Sequence, residues 1–295
     1  MSKSEKDTDI LNQVQQRLTE AVLKAARYLD AAAMSGEKPQ VSVKSDNSLV
    51  MNLDLESQRI ILETLSGSFP IVAEEDPHSH SLIDSNTSYF TVDPLDGTTT
   101  CKRFIGERGG QVGYGPLAGF VHNGQLSLAV YYSVPHRCFY SARRGGGCYM
   151  YRLEDGSFEL NSQPRRLVVD SSSDLGSAAA LFFVGKRGEC HLIEALKTND
   201  LIETAYRFGG FANDCTRLAQ GFEQIQIQFM AKPWDFAAVL FAAEAGCGVF
   251  CDPLARRIPL EGWRIEANNP VVVVVNGLEV ELFRNIDRIL NISQP

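Results

Sequence analysis

The sequence predicts an α/β (α+β) protein. Three observations carry this: one long amphipathic helix at the start, a series of short strands joined by turns, and a second half in which strands and helices interleave. In residues 8–33, Ile10, Leu11, Val14, Leu18, Ala21, Val22, Ala25 and Leu29 recur three and four apart, giving one apolar face. Gly36 and Pro39 end that pattern. A second helix is predicted from about Asp54 to Leu65. Strands follow at Phe69 to Ala73 and at Tyr89 to Val92, the latter delivering its end to Asp93. The polar stretch Asp76 to Ser88 between them reads as a mobile loop, with His78 and His80 solvated in it or, alternatively, shielding a site. Asn123-Gly124 is a hairpin turn between Leu117 to Val121 and Leu126 to Tyr132, and a further pair is expected at Phe139 to Ala142 and Gly147 to Tyr151.

The polar segment from Glu154 to Pro164 divides the chain into an N-terminal half, 1–160, and a C-terminal half, 161–295. In the second half, strands are expected at Leu167–Val169, Ala180–Val184, Ile225–Phe229 and Val271–Val275. Helices are expected at His191–Lys197, Ala212–Gln220, Asp235–Ala245 and Leu278–Asn291.

Composition narrows the function. Of 295 residues, 44% are hydrophobic and 22% charged, an ordinary globular balance. The net charge of −8 argues against a nucleic-acid partner, which needs a basic footprint. No apolar run reaches the roughly 20 residues of a membrane span, and no secretory signal is visible, so no membrane partner and a cytoplasmic location are expected. The seven cysteines include no CxxC pair and read as reduced thiols.

Three acidic stretches carry the chemistry. In Thr91-Val92-Asp93-Pro94-Leu95-Asp96-Gly97-Thr98, a strand ends in two carboxylates three residues apart. Pro94 stiffens the turn, and Gly97 permits a positive-φ conformation. Both carboxylates and the Leu95 carbonyl can then aim at one point, and hard oxygen donors of this kind suit Mg²⁺. Glu74-Glu75-Asp76 crowds three acids after a strand, which is costly unless a cation is present. In Trp234-Asp235-Phe236-Ala237-Ala238, Asp235 opens an almost wholly apolar helix, where the helix dipole favours its ionised form. Taken singly, these are also the marks of a turn, a solvated loop and an N-cap. Together, in this order, they form one constellation.

Those three stretches, with Glu244-Ala245-Gly246, Lys44-Ser45-Asp46-Asn47-Ser48, Gly145-Gly146-Gly147 and Gly209 to Gly221, resemble the signatures of the inositol monophosphatase superfamily over most of the chain. The resemblance implies a layered α-β-α-β-α sandwich that hydrolyses a small-molecule phosphate monoester with two or three Mg²⁺ ions, in many members as a homodimer. Carried over residue by residue, Glu74, Asp93, Asp96 and Asp235 would be side-chain metal ligands and Leu95 a carbonyl ligand. Glu74 and Thr98 would position the attacking water, and Asp46 would be a further acid near it or near a weaker metal. The N–H groups of Gly97 and Thr98 would face phosphate, while Gly209, Gly210, Phe211, Gln228 and Asp235 would line the substrate side.

The chain also departs from that pattern. Met51 stands where the family usually has threonine before its second helix, although Asp54 remains. Gly210 and Phe211 replace the usual Ser or Thr and Ala. Phe211 should therefore narrow the pocket, and Gln228 replaces the glutamate of inositol-specific members. Lys102, Arg103 and Arg108 form a basic cluster, read either as solvent-exposed or as a receptor for a second anionic group. The second case would suit a 3′(2′),5′-bisphosphate nucleotidase. A non-catalytic metal- and phosphate-binding regulator on the same fold is the alternative from another class.

Overall fold

The computed structural model describes residues 3–35, 38–44, 49–83, 87–105, 112–171, 174–183, 187–206, 209–251, 258–260 and 269–290. Helix α1 (Lys3–Ser35) turns the predicted stripe inward, burying Val14, Leu18, Ala21, Val22, Ala25 and Leu29. A short antiparallel hairpin follows, β1 (Val41–Val43) with β2 (Leu49–Met51), leading into helix α2 (Asn52–Leu65) beside α1.

Next come β3 (Ile71–Ala73), β4 (Tyr89–Asp96), helix α3 (Thr98–Phe104), β5 (Gly115–His122), β6 (Gln125–Ser133), β7 (Cys138–Arg143), β8 (Gly147–Arg152) and β9 (Arg165–Leu167). The seven strands pair in chain order, parallel between β3 and β4 and antiparallel elsewhere. The β5–β6 turn has positive φ at both Asn123 and Gly124, as an Asn-Gly hairpin requires.

The second sheet contains β10 (Ala179–Phe183), β11 (Thr204–Tyr206), β12 (Ile225–Ala231), β13 (Cys247–Cys251), β14 (Ile258–Pro259) and β15 (Asn269–Val275). Its order is β11-β10-β12-β15-β13-β14. The helices among these strands are α4 (Arg187–Thr198), α5 (Phe211–Ala219), α6 (Val239–Ala245) and α7 (Glu279–Leu290).

Three apolar clusters define the layers. One joins α1 and α2 to the outer face of the first sheet through Leu128, Val130 and Tyr132. The alternate residues of β6, Ala129 and Tyr131, belong to a second cluster with Phe211, Leu218, Phe236 and Phe241, which fills the space between the sheets. The third packs Leu192, Leu196, Leu282 and Ile286 against Ile225, Ile227 and Val274 on the far side of the second sheet. This is the α-β-α-β-α layering. A sheet covered on both faces buries both sets of alternate residues, and β4 accordingly is buried along its whole length.

Several elements differ from the sequence expectations. Strand β4 does not stop at Val92 but continues through Asp96: Asp93 faces Leu117 and Asp96 faces Gly115, so β4 carries one extra residue. A bulge tolerates Pro94, which has no N–H to give the ladder. The Asp76–Ser88 stretch contains a 3-10 turn, Pro77–Leu82. The helix expected from Asp235 begins as a 3-10 turn, Asp235–Ala238, before α6. The strand expected at Leu167–Val169 lies at β9, because Arg165 and Arg166 pair with the edge of β8 while the Val169 N–H goes to the Ala245 carbonyl. Among the described residues, no helix is long and apolar enough to cross a membrane.

Candidate active site

Sheet one brings the acidic residues to one end. Glu74 follows the last residue of β3, and its N–H bonds to Val92 O of β4 at 3.0 Å. Asp93 and Asp96 lie on the bulged end of β4, only 3% and 4% exposed. Asp93 Oδ1 accepts the Leu95 N–H at 2.9 Å, and Ser57 Oγ of α2 donates to Pro94 O at 2.6 Å, so the turn is pinned from within and from below. Gly97 then takes a left-handed conformation, φ 83°, as the N-cap of α3. Asp235 enters from the other half, its Oδ2 accepting the Lys232 N–H at 2.8 Å.

Asp96 reaches across to α5: its two oxygens accept the N–H groups of Phe211 at 2.9 Å and Ala212 at 3.0 Å. Gly210, the N-cap of α5, has no side chain to do this, and a Cβ there would lie 2.9 Å from both Asp96 Oδ2 and Gly113 O. The remote carboxylate therefore caps the helix and ties the two halves of the chain together.

The electrostatics identify these groups as one cluster. Burial pushes Asp93 well above the usual carboxylate range, and Glu74, Asp96 and Asp235 push it further. Burial raises Asp96 to about 7 against the pull of the α5 N–H groups, with Glu74 adding to the rise. Asp235 is raised by burial, then lowered by the Lys232 N–H and raised by Glu74 and Asp96. A cation relieves the acidic run at its edge, where Lys44 Nζ lies 3.0 Å from Glu74 Oε1 and 2.5 Å from Glu75 Oε1. Burial acts to lower the Lys44 pKa, but the two glutamates outweigh it and raise it.

Among the described residues, no three acidic, histidine or cysteine side chains close up into a ready metal cage, and each of these carboxylates is turned to a donor of the protein itself. The chemistry of the donor set nevertheless fits Mg²⁺: several buried carboxylates and a backbone carbonyl, all hard oxygens whose mutual repulsion a divalent ion would offset.

A residue that sequence reasoning places only at a helix start completes the site. Asp54 Oδ2 accepts the Met51 N–H at 2.8 Å, keeping one half of the capping box of α2, while Met51 has no hydroxyl to supply the other half. Its other oxygen lies 2.8 Å from Thr98 Oγ1, which is also 3.1 Å from Leu95 O. Burial raises Asp54 to about 7, the bonds from Thr98 and Met51 opposing the rise.

The sequence of the chain matches the model of the inositol monophosphatase family over residues 3–283. The chain belongs to that family. Nus factor SuhB of Vibrio cholerae serotype O1 is 28% identical over 236 residues, covering 77% of this chain and 80% of that protein. The crystal structure of extragenic suppressor protein suhB from Bartonella henselae has a TM-score of 0.73 at 22% identity, covering 94% of this chain and 99% of the other. A structure described as IMPase/NADP phosphatase complexed with Mg²⁺ and phosphate has a TM-score of 0.68 at 20% identity, covering 98% and 96%.

The remaining sequence candidates fall in different places. Asp46 and Arg108 lie outside the described residues. Gly209 has φ 94°, and a Cβ there would meet Thr100 Oγ1 at 2.9 Å, so it belongs to the wall beside α3. Phe211 does not stand free in a pocket; its ring is buried in the core between the sheets. Gln228 is buried on β12, and among the described residues its Oε1 has no partner and no hydrogen bond joins it to the acidic cluster. Lys102 and Arg103 are exposed on α3, as their solvated reading expects. His78 is exposed, but His80 is not a solvated residue. Its Nε2 lies 3.0 Å from Ala73 O, and its ring packs on Trp234 at 4.5 Å.

Proposed function

We propose that this protein hydrolyses a small phosphate monoester in a Mg²⁺-dependent reaction, as an enzyme of the inositol monophosphatase type. The family is one of metal-dependent phosphomonoesterases. One observation carries the reading for this chain: a mutually repelling acidic set, Asp93 and Asp96 buried and Glu74 and Asp235 half-buried, lies beside the Thr98–Asp54 hydroxyl–carboxylate pair. Glu74, Asp93, Asp96, Asp235 and the Leu95 carbonyl are the proposed ligands of two or three ions. When bound, Mg²⁺ supplies a water of lowered pKa and offsets the charge of the phosphoryl oxygens.

The chain's own groups do the rest. Thr98 Oγ1, fixed between Asp54 Oδ1 and Leu95 O, orients the attacking water and conveys its proton toward Asp54. A carboxyl raised to about 7 is suited to that task at neutral pH. The N–H groups of Gly97 and Thr98 face the phosphoryl group, because the left-handed Gly97 turns the backbone there. In this reading the 1–160 half contributes most ligands and the 161–295 half contributes Asp235 and the substrate wall. Gln228 would then offer the substrate's hydroxyls an amide.

The reading makes Thr98 decisive for the proton. Thr98→Val keeps the shape and removes the hydroxyl, so kcat is expected to fall about a hundredfold, within the range for general acid–base groups. The Mg²⁺ dependence should be unchanged, the melting temperature should fall by a few degrees because buried Asp54 loses a donor, and Thr98→Ser should restore most of both the rate and the stability. Steady-state phosphate release across a Mg²⁺ titration checks this.

The function itself is tested by phosphate release from inositol 1-phosphate, 3′-phosphoadenosine 5′-phosphate, fructose 1,6-bisphosphate and histidinol phosphate, with Mg²⁺ and then with EDTA. Turnover of one member that EDTA stops is the expected result. Turnover of 3′-phosphoadenosine 5′-phosphate alone would select the bisphosphate nucleotidase reading. The name Nus factor on a 28% identical relative favours a second reading, a binding role separate from hydrolysis. Silence of folded, Mg²⁺-binding protein across the panel would support it.

A further inference from the structure

We propose that His80 is a positioning residue, fixing the Glu74 and Asp235 arms of the acidic cluster at one separation. The proposal rests on the metal-dependent reading above. Glu74 hangs from a weak support: β3 has three residues, lies at the edge of its sheet, and pairs with β4 alone. Asp235 opens a short 3-10 turn on the far half of the chain. Neither arm is braced by long regular structure.

The 3-10 turn Pro77–Leu82 supplies the brace. Its buried Ser79 accepts the Ala73 N–H at 3.0 Å and donates to Asp76 O at 2.6 Å. His80 Nε2 lies 3.0 Å from Ala73 O; a carbonyl only accepts, so this nitrogen carries the proton. Both backbone polar groups of Ala73, the residue before Glu74, are thus held by the turn.

The other side of the brace is the ring. His80 packs on Trp234 with centroids 4.5 Å apart and planes at 31°, and Trp234 immediately precedes Asp235. Trp234 also rests against a small cluster of Val72, Tyr89 and Val121, with Ile83 from the end of the same turn. One imidazole therefore touches the residue before each of two proposed ligands from opposite halves of the chain. Such a residue sets a distance without touching the ion or the substrate, which is the task of the groups surrounding a metal site.

Three variants separate the two contacts. His80→Phe keeps the ring and loses the hydrogen bond, His80→Gln keeps a donor and loses the ring, and His80→Ala loses both. Mg²⁺ binding is measured by calorimetry without substrate, alongside the Mg²⁺ concentration for half-maximal phosphate release. His80→Ala is expected to weaken Mg²⁺ binding about tenfold, the lower end of effects seen for outer-shell partners, with kcat restored at saturating Mg²⁺. His80→Phe and His80→Gln should fall between it and the wild type, and His78→Ala, on the exposed face of the turn, should match the wild type. Unchanged Mg²⁺ affinity in His80→Ala would overturn the proposal, as would a kcat loss that Mg²⁺ does not restore. If His80→Ala does not fold, an unchanged affinity in His80→Phe overturns it equally. A wild type that neither binds Mg²⁺ nor releases phosphate refutes the phosphatase reading itself, an outcome distinct from either.

Discussion

The Asp93→Asn variant is expected to release phosphate about a thousandfold more slowly than the wild type at saturating Mg²⁺, the loss corresponding to several kcal/mol of metal-derived stabilisation at 1.36 kcal/mol per tenfold. Without the metal, it should unfold at an equal or higher temperature. Both halves of this follow from one feature. Asp93 is buried, with Glu74, Asp96 and Asp235 all raising its pKa, so its charge is useful only when a cation is there to meet it. Asparagine retains the oxygen that accepts the Leu95 N–H, so the turn keeps its shape. The sign of the pH effect is fixed. A carboxyl whose folded pKa lies above its unfolded value near 3.9 destabilises the native state progressively as pH rises from the unfolded toward the folded pKa. The asparagine variant lacks that loss. In EDTA, its advantage in melting temperature over the wild type should therefore grow as pH rises above the unfolded carboxyl pKa near 3.9, and level off once Asp93 ionises in the folded protein. Retained turnover, or a melting temperature that falls in EDTA, would remove Asp93 from the proposed ligand set.

What was legible in the sequence was what local chemistry decides. The helical stripe of α1 and the Asn-Gly hairpin between its two strands depend on residues within a few positions of one another, and the structure bears them out. The carboxylates of β4 were legible for the same reason: a strand, a proline and a left-handed glycine fix them within six residues. The parts that were not legible depend on tertiary approach. Asp54 carries the local signature of a capping acid and does cap α2; that its second oxygen meets Thr98 depends on α2 crossing below the end of β4. The N-terminus of α5 has no local cap, because Asp96 performs that role from another layer. His80 lies in a polar stretch whose composition suggests solvation, and only the approach of Trp234 gives its ring a partner. Phe211 reads as a pocket wall because it stands where the family usually has alanine, but the helix it begins turns the ring into the core between the sheets.

Gly119→Ala is expected to slow turnover about a hundredfold, a larger effect than its cost in stability. Gly119 lies on β5, and a Cβ there would stand 2.6 Å from Ala237 Cβ, 2.8 Å from Thr91 Oγ1 and 3.3 Å from Leu128 O. Ala237 belongs to the 3-10 turn that begins at Asp235, so the missing side chain lets that turn lie directly on the sheet carrying Asp93 and Asp96. Ordinary carbon–carbon contact is about 3.5–4.0 Å, so the new methyl must push the turn outward by roughly 1 Å. Overpacking of this kind typically costs about 1–3 kcal/mol, which a thermal melt reads as a drop of several degrees. The kinetic effect is larger, since a misplacement of about 1 Å can cost on the order of a hundredfold in rate, and here it is Asp235 that moves. A compensating change separates the two effects. In Gly119→Ala/Ala237→Gly, the methyl at 237 is gone and its 2.6 Å collision with it, leaving only the contacts with Thr91 and Leu128. If the close approach positions Asp235, turnover should recover in the double variant by more than its melting temperature does. Recovery of stability without recovery of turnover would show instead that the apposition of β5 and this turn serves the core alone, and that Asp235 takes its place from the Lys232 N–H and α6.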